Sequence, residues 1–262
     1  MSVLLQLSDP HFGTEQPALI EALHALVARQ RPDVLLLSGD ITQRARPAQF
    51  AAARALVDSL NIPHCLALPG NHDIPLFNPL ARLCWPYANY LAAFGPALEP
   101  VLERDDLLLI GVNTTRPWRH KHGEVSAEQI AAVAQRLQQA RRGQLCVVVT
   151  HQPLHVITAR DRRNLLRGHA EALASWTAAG AQLFLGGHIH LPYVRALPGG
   201  SWVAQAGTGL SRRVRAGAPN SVNLIRCGAA ADDQGCLVEQ WDCLPGGRFT
   251  LLRQTRLPVG SD

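Results

Sequence analysis

Five short polar blocks could do chemistry together: Asp9-x-His11, Gly39-Asp40, Gly70-Asn71-His72-Asp73, His151 and Gly187-His188-x-His190. Their donors are carboxylates, imidazoles and one carboxamide, with no thiolate among them. That set suits a borderline or hard divalent metal. Asp9, His11, Asp40, Asn71, His151, His188 and His190 are too many ligands for one tetrahedral ion. They suit two ions sharing a bridge, the arrangement that clamps displacement at phosphorus with metals about 3.5–4 Å apart. Asp9/His11 and His188/His190 are i, i+2 pairs, so an extended backbone is expected to point both members the same way. Gly39, Gly70 and Gly187 would permit close approach at the turns.

Each block follows a short apolar run. Val3–Leu7 precedes Asp9, Asp33–Leu37 precedes Asp40, and His64–Leu68 precedes Asn71. Leu145–Val149 precedes His151, and Gln182–Leu185 precedes His188. Continuous apolar runs bounded by turn residues read as strands buried on both faces. In open α/β sheets a ligand site lies beyond the carboxyl ends of such strands, so loops distant in sequence are expected to converge. Taken singly, a Gly-Asp or Asn-His-Asp is an ordinary turn. Five in succession at strand ends are not.

The intervening segments read as amphipathic helices. Leu19, Ile20, Leu23, Leu26 and Val27 share a face behind Pro17, a residue suited to a first helical position. Phe50, Ala53, Val57 and Leu60 share another. Ser126 and Gln129 form a capping box ahead of Ile130, Val133 and Leu137. Leu107–Val112 is a further strand. Beyond about residue 190 the pattern becomes strands alone. Tyr193–Leu197 and Trp202–Ala206 form a hairpin around Pro198-Gly199-Gly200-Ser201. Ser221–Cys227, Cys236–Leu244 and Arg248–Leu257 follow, with an exposed loop at 228–235 and a Pro-Gly-Gly turn at 245–247. The chain reads as a two-layer or sandwich α/β fold and as one domain over residues 1–262. Residues to about 195 carry the motifs, and about 196–262 form a β-rich part that completes the second sheet.

Bulk properties narrow the class. The 262 residues are 47% hydrophobic, enough for a sizeable core and against disorder. No apolar run reaches membrane-span length and the N-terminus lacks a signal-peptide pattern, so a cytoplasmic protein is expected. The six cysteines form no C-x-x-C pair, consistent with reduced thiols. Net charge is +5, and Lys121 is the only lysine among 25 basic residues. That balance suits anionic substrates, nucleic acid included, or simply an arginine-biased surface.

The five blocks together resemble the calcineurin-like metallophosphoesterases over roughly residues 3–195. The resemblance implies a four-layered αββα sandwich of two mixed β-sheets flanked by helices. It also implies a centre of two metal ions, with Fe, Mn and Zn all acceptable. By position, Asp9, His11 and His190 would hold one ion, Asn71, His151 and His188 the other, and Asp40 would bridge them. His72 would be no ligand but a donor to the phosphoryl oxygen or leaving group, with Asp73 orienting its ring. The implied reaction is in-line attack of a metal-bound hydroxide on a phosphodiester.

Small departures sort the branches. Serine/threonine protein phosphatases carry Gly-Asp-x-Val-Asp-Arg-Gly and Asn-His-Glu, whereas Asp40 is followed here by Ile41-Thr42-Gln43 and the later block ends in Asp73. Purple acid phosphatases place a Tyr ligand where this chain has Gln43. Lipid-A-pathway pyrophosphatases have Arg in place of His72. The stretches "SGDIT", "HGEVSAEQ" and "HQP" are most similar to bacterial class III cyclic nucleotide phosphodiesterases. They imply a substrate such as 3′,5′-cyclic AMP or a 2′,3′-cyclic nucleotide, and a homodimer. An SbcD-like nuclease acting on DNA or RNA, and a non-catalytic scaffold of the same fold, are the alternatives. Substrate contacts are expected from Asn113, Arg116, Trp118, His120 and His122, which follow the strand ending at Val112, and from His155. Arg212 is a weaker candidate. Trp85, Tyr87 and Tyr90 are expected to pack a helix or lid over 78–95, while His24, His64 and His169 have no metal-like spacing.

Overall fold

The computed structural model describes residues 1–228, 235–244 and 246–258. Most of the loop expected over 228–235, and Pro245 of the following turn, lie outside the described residues. Twelve described strands form two six-stranded sheets. The first is built on β1 (Val3–Leu7), β2 (Val34–Ser38) and β3 (His64–Leu68), which pair in parallel. The second contains β4 (Val101–Arg104), β5 (Leu107–Val112), β6 (Leu145–Thr150), β7 (Leu183–Gly186), β8 (Tyr193–Ala196) and β9 (Trp202–Gln205), in the order β4-β5-β6-β7-β9-β8. Strands β5, β6, β7 and β9 are parallel neighbours, and β4 and β8 are antiparallel edges.

The apolar runs are continuous because each strand is buried on both sides. Leu5, Leu7, Leu35 and Leu37 face α1 (Pro17–Gln30) and α2 (Pro47–Leu60), whereas Leu4, Val34 and Leu36 meet Leu109, Val147, Leu183 and Leu185 between the sheets. On the far side, Leu108, Ile110, Val148 and Phe184 pack with Ile130, Val133 and Leu137 of α5 (Ala127–Gln138) and Ala172 and Trp176 of α6 (His169–Ala178). This is the expected helix–sheet–sheet–helix sandwich. Pro17 opens α1, and the Ser126–Gln129 capping box opens α5. Residues 78–95 hold two short helices, α3 (Pro79–Cys84) and α4 (Ala88–Phe94). Buried Tyr90 packs against Phe50 and Phe94, and its hydroxyl donates to Ala67 O at 2.6 Å.

The β-rich tail departs from expectation. The 193–205 hairpin extends the second sheet, but β10 (Ser221–Arg226), β11 (Cys236–Leu244) and β12 (Arg248–Leu257) complete the first, in the order β12-β11-β10-β1-β2-β3. Strand β1 explains this. With β2 on one side, its other edge would leave buried backbone groups unpaired, and β10 pairs there from Val3↔Arg226 to Gln6↔Asn223. Strand β4 and helix α6 were not anticipated. Among the described residues no helix is long and apolar enough to cross a membrane, and all six cysteines are free.

Candidate metal centre

The carboxyl ends of β1, β2 and β3 meet those of β6 and β7 at one rim of the sandwich. The loops after β1 and β2 are laced by backbone bonds: Asp9 N–H to Gly39 O and His11 N–H to Asp40 O, both 3.1 Å. Side chains at these turns would block the site. A Cβ on Gly70 would fall 2.1 Å from Asp40 N, and one on Gly39 (φ +93°) would fall 2.3 Å from His151 Nδ1. The i, i+2 pairs are not extended as expected. Asp9, His11, His188 and His190 all have positive φ (51°, 45°, 68° and 54°), as does Asp40 (48°). Left-handed backbone in non-glycine residues is strained and gathers at functional sites; here it turns each side chain inward.

Two donor clusters that share no residue result, and a third grouping, His11, Asp40 and His72, straddles them. Ligand atoms of Asp9, His11 and His190 lie within 4.8 Å of one another, as do those of Asp40, His151 and His188. Asp40 reaches both: Oδ2 is 3.8 Å from His11 Nε2, and Oδ1 is 3.2 Å from His151 Nε2. Asp9 Oδ2 is held by Ser8 Oγ–H (2.6 Å) and His188 N–H (3.0 Å), leaving Oδ1 facing His190 Nε2 at 3.1 Å. Nδ1–H of His151 donates to Ser38 O at 2.9 Å, that of His190 to Arg213 O at 2.6 Å, and that of His72 to Gln43 O at 3.0 Å. Each bond fixes a tautomer and turns Nε2 into the site.

The buried atoms left without partners identify what is missing. Of eight such atoms among the described residues, four belong to His155, Asn164, Gln205 and Ser221, and four cluster here: Asn71 Oδ1, His151 Nε2 and both ring nitrogens of His188. Buried polar atoms are ordinarily satisfied, and these are the donors of one of the two expected ligand sets. A cation fits them. The charges concur. Burial pushes His188 and His11 down to about 3, keeping their lone pairs free at neutral pH. Burial also opposes the charged forms of Asp9 and Asp40, yet the surrounding histidines hold both carboxyls below the ordinary range.

His72 sits at the edge of the clusters, with Nε2 4.0 Å from Asp40 Oδ2 and its backbone N–H on Asp40 Oδ1 at 2.8 Å. Asp73 does not orient the His72 ring. Its carboxylate accepts N–H groups from Ile41 (3.0 Å), Thr42 (2.7 Å) and Gly70 (2.8 Å) and the Thr42 hydroxyl (2.8 Å), clasping the loop after β2 to the loop after β3. Burial, with Asp40 nearby, raises its carboxyl to about 7 against the pull of those N–H groups.

A cleft of about 500 Å³ opens over the clusters, lined in part by Asp40, Asn71, His72, His188, His190 and Arg213. Of the six expected substrate contacts, His120 lines it. Asn113 instead accepts from Thr115 N–H (3.0 Å) and Oγ1–H (2.7 Å), closing its own turn. Arg116 is bound to the carbonyls of Asn113 and Thr115 and to Gln129 Oε1. Trp118 is 71% exposed, and His122 is also exposed. His155 packs against Tyr193. Sequence reasoning missed Arg213, whose Nη1 lies 3.0 Å from both His72 Nε2 and Gln43 Oε1. Arg212, the weaker candidate, lines a separate surface cleft with Gly13, Thr14 and Glu15 that Arg213 also borders. The Arg212-Arg213-x-Arg215 cluster was the available signal.

A family model described as Calcineurin-like phosphoesterase matches residues 2–192. A probable cyclic nucleotide phosphodiesterase from Synechococcus sp. is 26% identical over 206 residues, covering 73% of this chain and 74% of that protein. A cAMP/cGMP dual specificity phosphodiesterase from Mycobacterium tuberculosis is also 26% identical over 206 residues, covering 72% of this chain and 61% of that protein. A dimetal phosphatase from Danio rerio superposes with a TM-score of 0.72 at 12% identity, over 99% of both chains, a likeness of fold.

Proposed function

Because this chain belongs to the calcineurin-like phosphoesterase family, we propose that it hydrolyses phosphodiester bonds of small nucleotides, such as 3′,5′-cyclic AMP or 2′,3′-cyclic nucleotides, at a centre of two metal ions. The observation that carries this reading is the position of Asp40, one oxygen toward each donor cluster. In this reading Asp9, His11 and His190 hold one ion, Asn71, His151 and His188 the other, and Asp40 is shared. When bound, two such ions neutralise charge on the transferring phosphoryl group and activate water for in-line displacement. Fe, Mn and Zn all accept this donor set.

The protein's own groups do the rest. The backbone carbonyls of Ser38 and Arg213 hold His151 and His190 in the ligating tautomer. His72, fixed at Nδ1 by Gln43 O, presents Nε2 to the cleft beside the phosphoryl oxygen or leaving group, where it acts as a donor once Nε2 also carries a proton. The cleft volume suits a mononucleotide. The similarity to two nucleotide phosphodiesterases supports the substrate class.

The test is a side-by-side screen of cyclic AMP, 2′,3′-cyclic nucleotides, single-stranded DNA and phosphomonoesters, with the enzyme loaded in turn with Mn, Fe or Zn. Turnover of cyclic nucleotides above the other classes is expected. Faster degradation of DNA would replace this reading with that of a nuclease. Absence of turnover with every metal would leave a scaffold.

A further inference from the structure

Arg213 lies on the loop between β9 and β10 and touches both halves of the site. Its carbonyl fixes His190, and its guanidinium reaches Gln43 Oε1 and His72 Nε2 at 3.0 Å and His11 Nδ1 at 3.4 Å. Among the described residues it has no carboxylate partner. Arg215, two residues on, differs: it forms a bidentate pair with Asp161 at 3.1 and 2.9 Å and donates to Ile189 O at 3.0 Å. Arg213 therefore places an uncompensated cation in the wall of the cleft.

Its present position conflicts with an occupied metal centre. His151, His190 and His72 each have a backbone carbonyl to receive Nδ1–H, but His11 has only Arg213 Nη1 at that nitrogen. His11 Nε2 faces Asp9, Asp40 and His190. Once Nε2 serves as a ligand, the proton of the neutral ring is on Nδ1, and two donors confront each other. The guanidinium must then leave His11 for an acceptor. The cleft it lines is where phosphoryl oxygens would sit, and a planar fork matches two of them.

Building on the phosphodiesterase reading, we infer that Arg213 grips the phosphoryl oxygens of the substrate and releases His72 Nε2 as it does so. In the unliganded protein its N–H occupies the His72 lone pair. On binding, the Arg213 N–H leaves that nitrogen, so His72 Nε2 is free of the guanidinium only when a phosphoryl group is held. Gln43 Oε1 is the resting place of the fork and competes with the substrate for it.

The test measures inorganic phosphate binding by calorimetry on metal-loaded wild type, Arg213→Met, Arg213→Lys and Gln43→Ala, with metal content assayed on each. A charge-assisted hydrogen bond lost from phosphate corresponds to an affinity ratio of about 10- to 100-fold. Arg213→Met should keep two ions per chain and weaken phosphate by that factor, with Arg213→Lys recovering part of it. Gln43→Ala should bind phosphate more tightly than wild type. Equal phosphate affinity in wild type and Arg213→Met, or weaker binding in Gln43→Ala, overturns the role of Arg213. A wild type that takes up two ions yet turns over no phosphoester overturns instead the reading beneath it.

Discussion

The carboxylate of Asp73 accepts the backbone N–H of Thr42 at 2.7 Å, so the residue after His72 braces the loop that follows β2 and not the His72 ring. Both Asp73 oxygens are met by donors: Thr42 N–H and Oγ1–H on Oδ1, Ile41 and Gly70 N–H on Oδ2. Asp73→Asn keeps the shape but turns an NH2 against backbone N–H on one side. It should destabilise the fold by about 3 kcal/mol, the scale of losing charge-assisted bonds and leaving a buried donor unsatisfied. Urea unfolding checks this. A variant of unchanged stability with lowered turnover would restore the orienting role.

Metal stoichiometry separates the roles of three neighbours. Asp40 reaches both donor clusters, Asn71 offers one orphaned oxygen, and His72 Nε2, which in the proposed reading serves the substrate and not a metal ion, lies 4.0 Å from an Asp40 oxygen. Asp40→Ala should lose both ions and all turnover. Asn71→Ala should retain one ion. His72→Ala should retain two and lose about 10²- to 10⁴-fold in turnover, the range of a general acid. Elemental analysis beside steady-state kinetics reads all three, and a fully active His72→Ala would remove His72 from the chemistry.

The five blocks of candidate ligands were legible because each ends an apolar strand, and strand ends are placed by the sheet. Arg213 was not. It lies in a long loop without periodicity, after a strand that carries no ligand, so nothing local separates it from Arg212 or Arg215. The loop from Asn113 was placed correctly at the end of β5, but side-chain bonds to its own backbone and to Gln129 engage Asn113 and Arg116. The tail strands were read with nearly correct bounds yet assigned to the wrong sheet. Their pattern records burial, while their partner is set by the free edge of β1. Helix α6 escaped because Ala172 and Trp176 alone are buried, too few to mark a face. Strand β4 escaped because it is a half-exposed edge carrying Glu103 and Arg104.

Gln129 links helix capping to the loop from Asn113. Its backbone N–H donates to Ser126 Oγ (3.2 Å), and its Oε1 accepts from Ser126 N–H and the Arg116 guanidinium. Ser126→Ala should cost about 1 kcal/mol, an ordinary N-cap loss. Gln129→Ala should cost more, because Arg116 loses one of its three acceptors as well, and should increase protease cleavage within 113–123. Equal losses in the two variants would show that the Arg116 contact contributes nothing.

The Asp161–Arg215 pair gives a pH signature distinct from the metal site. Burial tends to raise the Asp161 carboxyl, but the hydrogen bonds from Arg215 and Thr158 hold it below the ordinary carboxylate value. A depressed folded-state pKa means that the unfolded chain binds the proton more readily. The stabilisation is therefore complete above the unfolded carboxylate pKa of about 4 and is lost as pH falls through the lower folded value. Asp161→Asn should cost about 1 kcal/mol at neutral pH, the scale for a partly buried, hydrogen-bonded ion pair whose arginine keeps a second partner. The gap between wild type and variant should narrow steadily below pH ~4. Unfolding curves from neutral to acid pH test both the size and the sign. A gap that stays constant or widens in acid would mean that Asp161 does not stabilise the fold as a carboxylate, and that Arg215 is held by Ile189 O alone.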